Sequence, residues 1–119
     1  IEKNHTSLDA ENLTKIERLV WEFYQLLFKH YRNEQDTSFY AERLLLSTKY
    51  LSTIIKKQTG KTVNEWIFEY IIAEAKALIK SSKITIKELA EYFNYADATS
   101  FGKFFKKRVG MTPNEYRHF

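Results

Sequence analysis

The sequence predicts an all-α fold of seven helices, arranged as two helix-turn-helix units joined by a linker helix. Three observations carry that expectation. The 119 residues include one Pro and three Gly, so the punctuation that hairpins and β-bulges need is missing. Apolar residues recur at 3.6-residue spacing along the chain, where strands would alternate. One stretch also occurs twice: residues 47–67 match residues 97–117 at an offset of fifty. The match aligns Leu51 with Phe101, Ile54 and Ile55 with Phe104 and Phe105, Gly60 with Gly110, and Thr62 with Thr112. Each copy reads as a short basic helix, a glycine stop and a newly capped helix, and an internal repeat is first a statement about fold.

Residues 1–7 are polar and are expected to fray. A long helix is expected over 9–34. Leu13, Ile16, Val20, Phe23, Leu27 and Tyr31 form its stripe, and Leu19, Trp21, Tyr24, Leu26 and Phe28 widen it. From Leu19 onward this helix should join the core. Residues 1–18 read as a tail and helix extension, either solvated, part of a dimer seam, or a link to a further domain. The absence of a Met before Ile1 is read as the start of a piece of a longer protein.

A polar break from Asn33 ends this helix, and Thr37 or Ser38 should cap a short helix over 39–45 carrying Phe39, Tyr40, Ala41, Leu44 and Leu45. Leu46 packs at the turn, Ser47 caps a helix over 48–58, and Gly60 takes the left-handed position beyond its end. Thr62-Val-Asn-Glu65 is a capping box, in which the Thr oxygen accepts a backbone N–H and the Glu reaches back. It opens the linker helix, 63–80, with Trp66, Ile67, Tyr70, Ile71, Ala75, Leu78 and Ile79 on its buried side.

Ser81 and Ser82 break the linker helix. Thr85-Ile-Lys-Glu88, a second box, opens a helix to Phe93, and residues 94–96 make a turn. Asp97 caps a helix over 98–108, Gly110 stops it, and Thr112-Pro-Asn-Glu115 is a third box with Pro at the first helical position. The domain is thus expected over 19–119, with a first unit at 37–61, the linker at 62–81 and a second unit at 84–119. From Ala41 to Ala90 the offset is forty-nine, so the second unit has one extra turn residue.

Composition narrows the chemistry. Cysteine is absent, which excludes disulfides, thiolate catalysis and cysteine-ligated zinc. His5, His30 and His118 have no metal-ligand partners at helical spacing, and Glu65, Glu69 and Glu115 are explained by caps and solvated faces. No glycine-rich phosphate loop, membrane span or signal peptide is visible, so no enzyme activity, cofactor, metal or membrane is expected. Net charge is +4, but unevenly spread. Residues 1–36 hold five Lys/Arg against seven Asp/Glu, and residues 37–119 hold fourteen against eight. The repeat-bearing part is basic, which suits a polyanionic partner.

In each unit the second helix has a two-sided pattern. Leu51, Ile54 and Ile55 point inward, against Lys49, Ser52, Thr53 and Lys56. In the second copy Phe101, Phe104 and Phe105 oppose Thr99, Gly102, Lys103 and Lys106. Ala41 and Ala90 stand where paired helices must approach closely. Hydroxyls and amines can read base edges and hold phosphates. A basic amphipathic helix is by itself no more than a surface helix; two at matched offsets around a spacer are unlike a surface accident. A spacer of about 18 residues is about 27 Å long, which with its end offsets sets two reading helices about one DNA turn apart.

The stretches LSTKYLSTIIKKQTGKTVNEWI and IKELAEYFNYADATSFGKFFKKRVGMTPNEYR resemble the DNA-binding domain of the AraC/XylS family of bacterial transcription regulators, over residues 19–119. The resemblance implies sequence-specific binding of double-stranded DNA by two helix-turn-helix units in successive major grooves. It further implies activation of transcription with RNA polymerase, a cytoplasmic bacterial location, and a separate sensing or dimerisation domain. By similarity, Lys49, Ser52, Thr53, Lys56, Thr99, Ser100 and Lys103 would read bases, and Thr37, Ser38, Thr85, Lys106 and Lys107 would contact phosphate. The chain departs from the family where Asn94 replaces a turn Gly, Ser100 an aromatic, and Thr53 and Lys103 an Arg. Two rival readings stay open: a helical protein-interaction or dimerisation module, with the N-terminal helix as a homodimer seam, and a fold that has kept one reading unit.

Overall fold

The computed structural model describes residues 2–119, with side chains from Lys15 onward. Seven helices follow in order: α1 (Glu2–His30), α2 (Thr37–Arg43), α3 (Thr48–Thr59), α4 (Val63–Ser81), α5 (Ile86–Tyr92), α6 (Ala98–Val109) and α7 (Pro113–Arg117). No strand occurs among the described residues. The two helix-turn-helix pairs are α2 with α3 and α5 with α6, and α4 packs against α1, α3, α6 and α7.

The last five helices begin and end within a residue or two of their expected limits, because local side chains fix them. Thr62, Thr85 and Thr112 each accept the N–H of Glu65, Glu88 and Glu115, and each Glu carboxylate accepts the Thr N–H in return. All three boxes are complete.

The first two helices differ from expectation. α1 starts at Glu2 rather than residue 9, so 2–7 are helical, not frayed, since neither Pro nor Gly interrupts them. It ends at His30 rather than 34, where the His30 carbonyl accepts from both Asn33 and Glu34 and turns the chain. α2 starts at Thr37 because Asp36, not Thr37 or Ser38, is its cap: the Asp36 carboxylate accepts from the Ser38 N–H at 3.1 Å. The widened stripe of α1 also narrows. Phe23 and Leu27 are buried, whereas Trp21 and Phe28 are 59% and 73% exposed. At 100° per residue, Trp21 lies on nearly the opposite side of the helix from Phe23. The stripe residue Leu13 lies outside the described side chains.

One core runs through both units. Along α4, Val63, Ile67, Ile71, Ala75 and Ile79 form a buried row at four-residue steps. Phe23, Leu27, Tyr40, Leu51 and Ile55 pack against the first half, and Leu89, Phe93, Phe101 and Phe105 complete the same cluster. Trp66, Tyr70 and Leu78 are half-buried at its margin rather than fully inside. Ala41 and Ala90, each 1% exposed, sit at the close approaches that exclude a larger side chain.

Candidate nucleic-acid interface

The two units share a backbone frame. In the first turn, the Leu45 N–H donates to Glu42 and the Leu46 N–H to Ala41; in the second, Asn94 donates to Glu91 and Tyr95 to Ala90. Leu45 and Asn94 therefore hold the same left-handed position, at φ 59° and 61°. The extra residue of the second unit, Ala96, comes after this turn and before the cap. Ser47 Oγ accepts the Tyr50 N–H at 3.0 Å to open α3, and Asp97 Oδ1 accepts the Ser100 N–H at 2.8 Å to open α6. Both helices end on a left-handed glycine, Gly60 at φ 84° and Gly110 at 93°, a conformation that strains any other side chain.

Because frame and inward residues are fixed, the outward faces are fixed too. On α3, Leu51, Ile54 and Ile55 are buried; Lys49, Thr53 and Lys56 are exposed and Ser52 is half-buried. The Thr53 hydroxyl donates to the Lys49 carbonyl at 2.9 Å, and Lys56 Nζ donates to the Gly60 carbonyl at 3.1 Å. Lys56 thus serves its own helix end, where a cation also complements the helix dipole. On α6, Phe101 and Phe105 are buried and Phe104 half-buried; Thr99, Ser100, Lys103, Lys106 and Lys107 are exposed. Thr99, Gly102, Lys103 and Lys106 line a shallow groove with Ile86 of α5 and Pro113 of α7.

Of the five phosphate candidates, Lys106 and Lys107 are exposed, whereas the other three are half-buried or engaged by neighbours. Thr37 is half-buried, with its hydroxyl donating to Asn64 Oδ1 of α4 at 3.4 Å. Ser38 is half-buried beside the Asp36 carboxylate. Thr85 is exposed, but its hydroxyl oxygen is taken by the Glu88 N–H at 3.1 Å. Electrostatically, the Ser100 N–H, the Ser100 side chain and Lys103 hold the Asp97 carboxyl below its ordinary range. The Thr62 and Thr112 N–H groups hold Glu65 and Glu115 low in the same way, helped by Lys56 and Lys106. The capping carboxylates therefore stay charged and sit beside the cations at the ends of both helices.

Sequence reasoning missed several positioning residues. Arg117 donates to the carbonyls of Ile79 and Ile84, tying α7 to the end of α4. The Arg108 guanidinium lies 4.2 Å from the Phe68 ring centroid and 5.1 Å from that of Phe104, so it packs rather than projects. Glu74 on α4 accepts the hydroxyls of Tyr31 and Tyr92. Apart from Arg108 over Phe104, four residues away on the same helix, nothing local signals these contacts, since the hydrogen-bonded partners lie 18 to 43 residues apart. Among the described residues no cluster of three or more His, Cys, Asp or Glu could hold a metal ion, and no helix is long and apolar enough to cross a membrane.

A family model described as a helix-turn-helix domain matches residues 40–118. The chain is 35% identical over 77 residues to the HTH-type transcriptional regulator YtdP of Bacillus subtilis, covering 65% of this chain and 10% of that protein. The chain spans only part of the curated relatives it matches: 10% of YtdP, and 28% of the Msm operon regulatory protein of Streptococcus mutans and of the activator RhaR of Escherichia coli. Among solved structures it is similar to the C-terminal domain of AraT, a response regulator from Geobacillus stearothermophilus, with TM-score 0.79, 31% identity and 84% of each chain covered. It also shares the fold of the DNA-binding domain of AdpA, solved in complex with a target DNA, at TM-score 0.74 and 19% identity, over 83% of this chain and 89% of that one.

Proposed function

This chain belongs to the AraC/XylS family of helix-turn-helix transcription regulators, and we propose that it binds duplex DNA sequence-specifically by placing α3 and α6 in successive major grooves. The observation that carries this reading is the shared frame. Two helices with matched turns, caps and glycine stops sit on one spacer helix of 19 residues, about 28 Å long. Each offers a polar face of Lys, Thr and Ser.

Base reading is assigned to Lys49, Ser52, Thr53 and Lys56 on α3, and to Thr99, Ser100 and Lys103 on α6. Lys49 and Lys103 lead, because Thr53 and Lys56 are engaged with their own helix. Lys106 and Lys107 would anchor phosphate, with Thr37, Ser38 and Thr85 contributing through the starts of α2 and α5. The two faces differ, which suits an asymmetric site read by one chain. The wider reading is transcription activation beside RNA polymerase in the bacterial cytoplasm, with residues 19–119 as the DNA-binding domain and residues 1–18 as its link to a further domain. One observation favours an added dimer contact: Trp21 and Phe28, seven residues apart, share an exposed side of α1. Sedimentation of the chain and of Trp21→Ala/Phe28→Ala decides that point.

Selection from a random duplex library at moderate salt tests the main reading. An enriched bipartite motif is expected, with affinity falling steeply with salt as counterions are released. Lys49→Ala and Lys103→Ala should each cost about 1–3 kcal/mol and relax preference within one half-site. Absence of any enriched motif would leave the interaction-module reading in its place.

A further inference from the structure

Two reading helices on one chain need a fixed separation and a fixed twist. The spacer α4 supplies the separation. The core along α4 restrains the twist between the units, and a second link lying off its axis restrains it further. The structure contains such a link. Glu74, midway along α4, accepts the hydroxyl of Tyr31, just beyond α1, and that of Tyr92 of α5 at 2.6 Å. The Arg32 guanidinium lies 4.3 Å from the Tyr92 ring centroid. Gln35 donates from Nε2 to the Phe93 carbonyl at 2.8 Å, and Asn94 donates from Nδ2 to Asn33 Oδ1 at 2.9 Å.

Residues 31–36 run straight into α2, and the Tyr40 hydroxyl pins them there by donating to the Glu34 carbonyl at 2.7 Å. Through Asn33 and Gln35 the loop ties the first unit directly to the turn of the second, beside the two tyrosine bonds that meet at Glu74 on the spacer. Burial and then Glu74 raise the Tyr31 hydroxyl, and Glu74 first raises that of Tyr92, so both donors stay protonated at neutral pH. None of these side chains belongs to either reading face.

We propose that this strap, centred on Glu74, is a specificity-determining device: it fixes the half-site spacing the protein accepts. The proposal rests on the two-groove reading above. One base pair changes the relation between two grooves by about 34° and 3.4 Å. An unstrapped pair absorbs that change by turning about α4. The strapped pair cannot turn without breaking the bonds of Tyr31, Gln35, Tyr92 and Asn94.

The chain has no cysteine, so spin labels at Gln58→Cys on α3 and Lys87→Cys on α5, both exposed positions, report the distance between units without DNA. A narrow distribution is expected in the otherwise unaltered chain. A broader one is expected in Tyr31→Phe/Tyr92→Phe and in Asn33→Ala/Gln35→Ala. On the selected duplex lengthened or shortened by one base pair, the unaltered chain should lose about tenfold or more in affinity and the strap variants less than about threefold, with base preferences unchanged. Equal widths, or an equal one-base-pair penalty, overturn the proposal. The Asn33/Gln35 variant alters residues near the surface, so it carries both measurements if the tyrosine variant unfolds. If the unaltered chain selects no motif, the DNA reading fails, and the label distances still decide whether the strap holds the units.

Discussion

The two helix-turn-helix units are one backbone built from different side chains. Their turns agree in φ to 2°, and the φ values of their glycine stops differ by 9°. Their interiors do not agree. The first unit packs Leu51, Ile54 and Ile55, and the second packs Phe101 and Phe105 into a run of aromatic contacts with Phe93, Tyr95 and Tyr116. The difference teaches that the frame is set by backbone caps and turns, while the core needs only matched volume in sound rotamers. The outward faces differ as well, with Lys49, Ser52 and Thr53 against Thr99, Gly102 and Lys103, but keep the lysine pair Lys56-Lys57 and Lys106-Lys107.

The comparison breaks most readily at the core. Phe101→Ala should cost about 3–5 kcal/mol and Leu51→Ala about 2–5 kcal/mol, with the larger loss at Phe101 because a larger buried ring leaves a larger cavity. Chemical denaturation measures both. Equal losses would show that neither the larger ring nor its aromatic contacts stabilise the second unit more than Leu51 stabilises the first.

A smaller effect separates the ends of the reading helices. Trp66 donates from Nε1 to Thr59 Oγ1 at 2.8 Å; fifty residues on, the pair is Tyr116 and Val109, with no indole to satisfy. Thr59→Val should therefore cost about 1–2 kcal/mol by stranding a half-buried donor. Val109→Thr should gain nothing. A neutral Thr59→Val in thermal melts would remove the indole bond from the account of the first unit.

The turns offer a test of opposite sign. Leu45 holds a left-handed backbone with its side chain 91% exposed, whereas Asn94 holds the same backbone with a residue that tolerates it. Leu45→Asn should stabilise by about 0.5–1 kcal/mol, read as a higher melting temperature, and Asn94→Leu should destabilise. A lower melting temperature for Leu45→Asn would mean that Leu45 is stabilised by something other than its backbone.

The smallest effect lies at the caps. α3 is capped by a hydroxyl and α6 by a carboxylate whose folded pKa is depressed. A depressed acid contributes stability above its unfolded pKa and loses it as pH falls through the lower, folded one. Acid at and below the ordinary Asp pKa of about 3.8 should therefore fray the start of α6 while leaving the Ser47 cap of α3 intact. Amide exchange at Ser100 and Tyr50 follows this, and Asp97→Ser should erase the difference. Matching acid responses at both amides would contradict it.

The sequence by itself determined the elements from α3 onward, because their signals are local. A cap oxygen meets an N–H three residues on, a box closes over the same span, and a glycine admits a left-handed backbone wherever it stands. The offset between the repeats likewise placed the extra turn residue. Local signals misled at α2, where three polar residues compete for one cap and Asp36, two residues upstream of its partner, takes it. They misled again along α1, where spacing shows which residues are apolar but not which side finds a neighbour. Only the tertiary structure turned Trp21 and Phe28 outward, set Trp66 against Thr59, and joined Asn33 to Asn94 across sixty-one positions. Such pairings depend on where packing brings distant chain segments, and no periodicity encodes that. The strap that sets one unit against the other belongs to this second kind, even though every residue in it was plain to read.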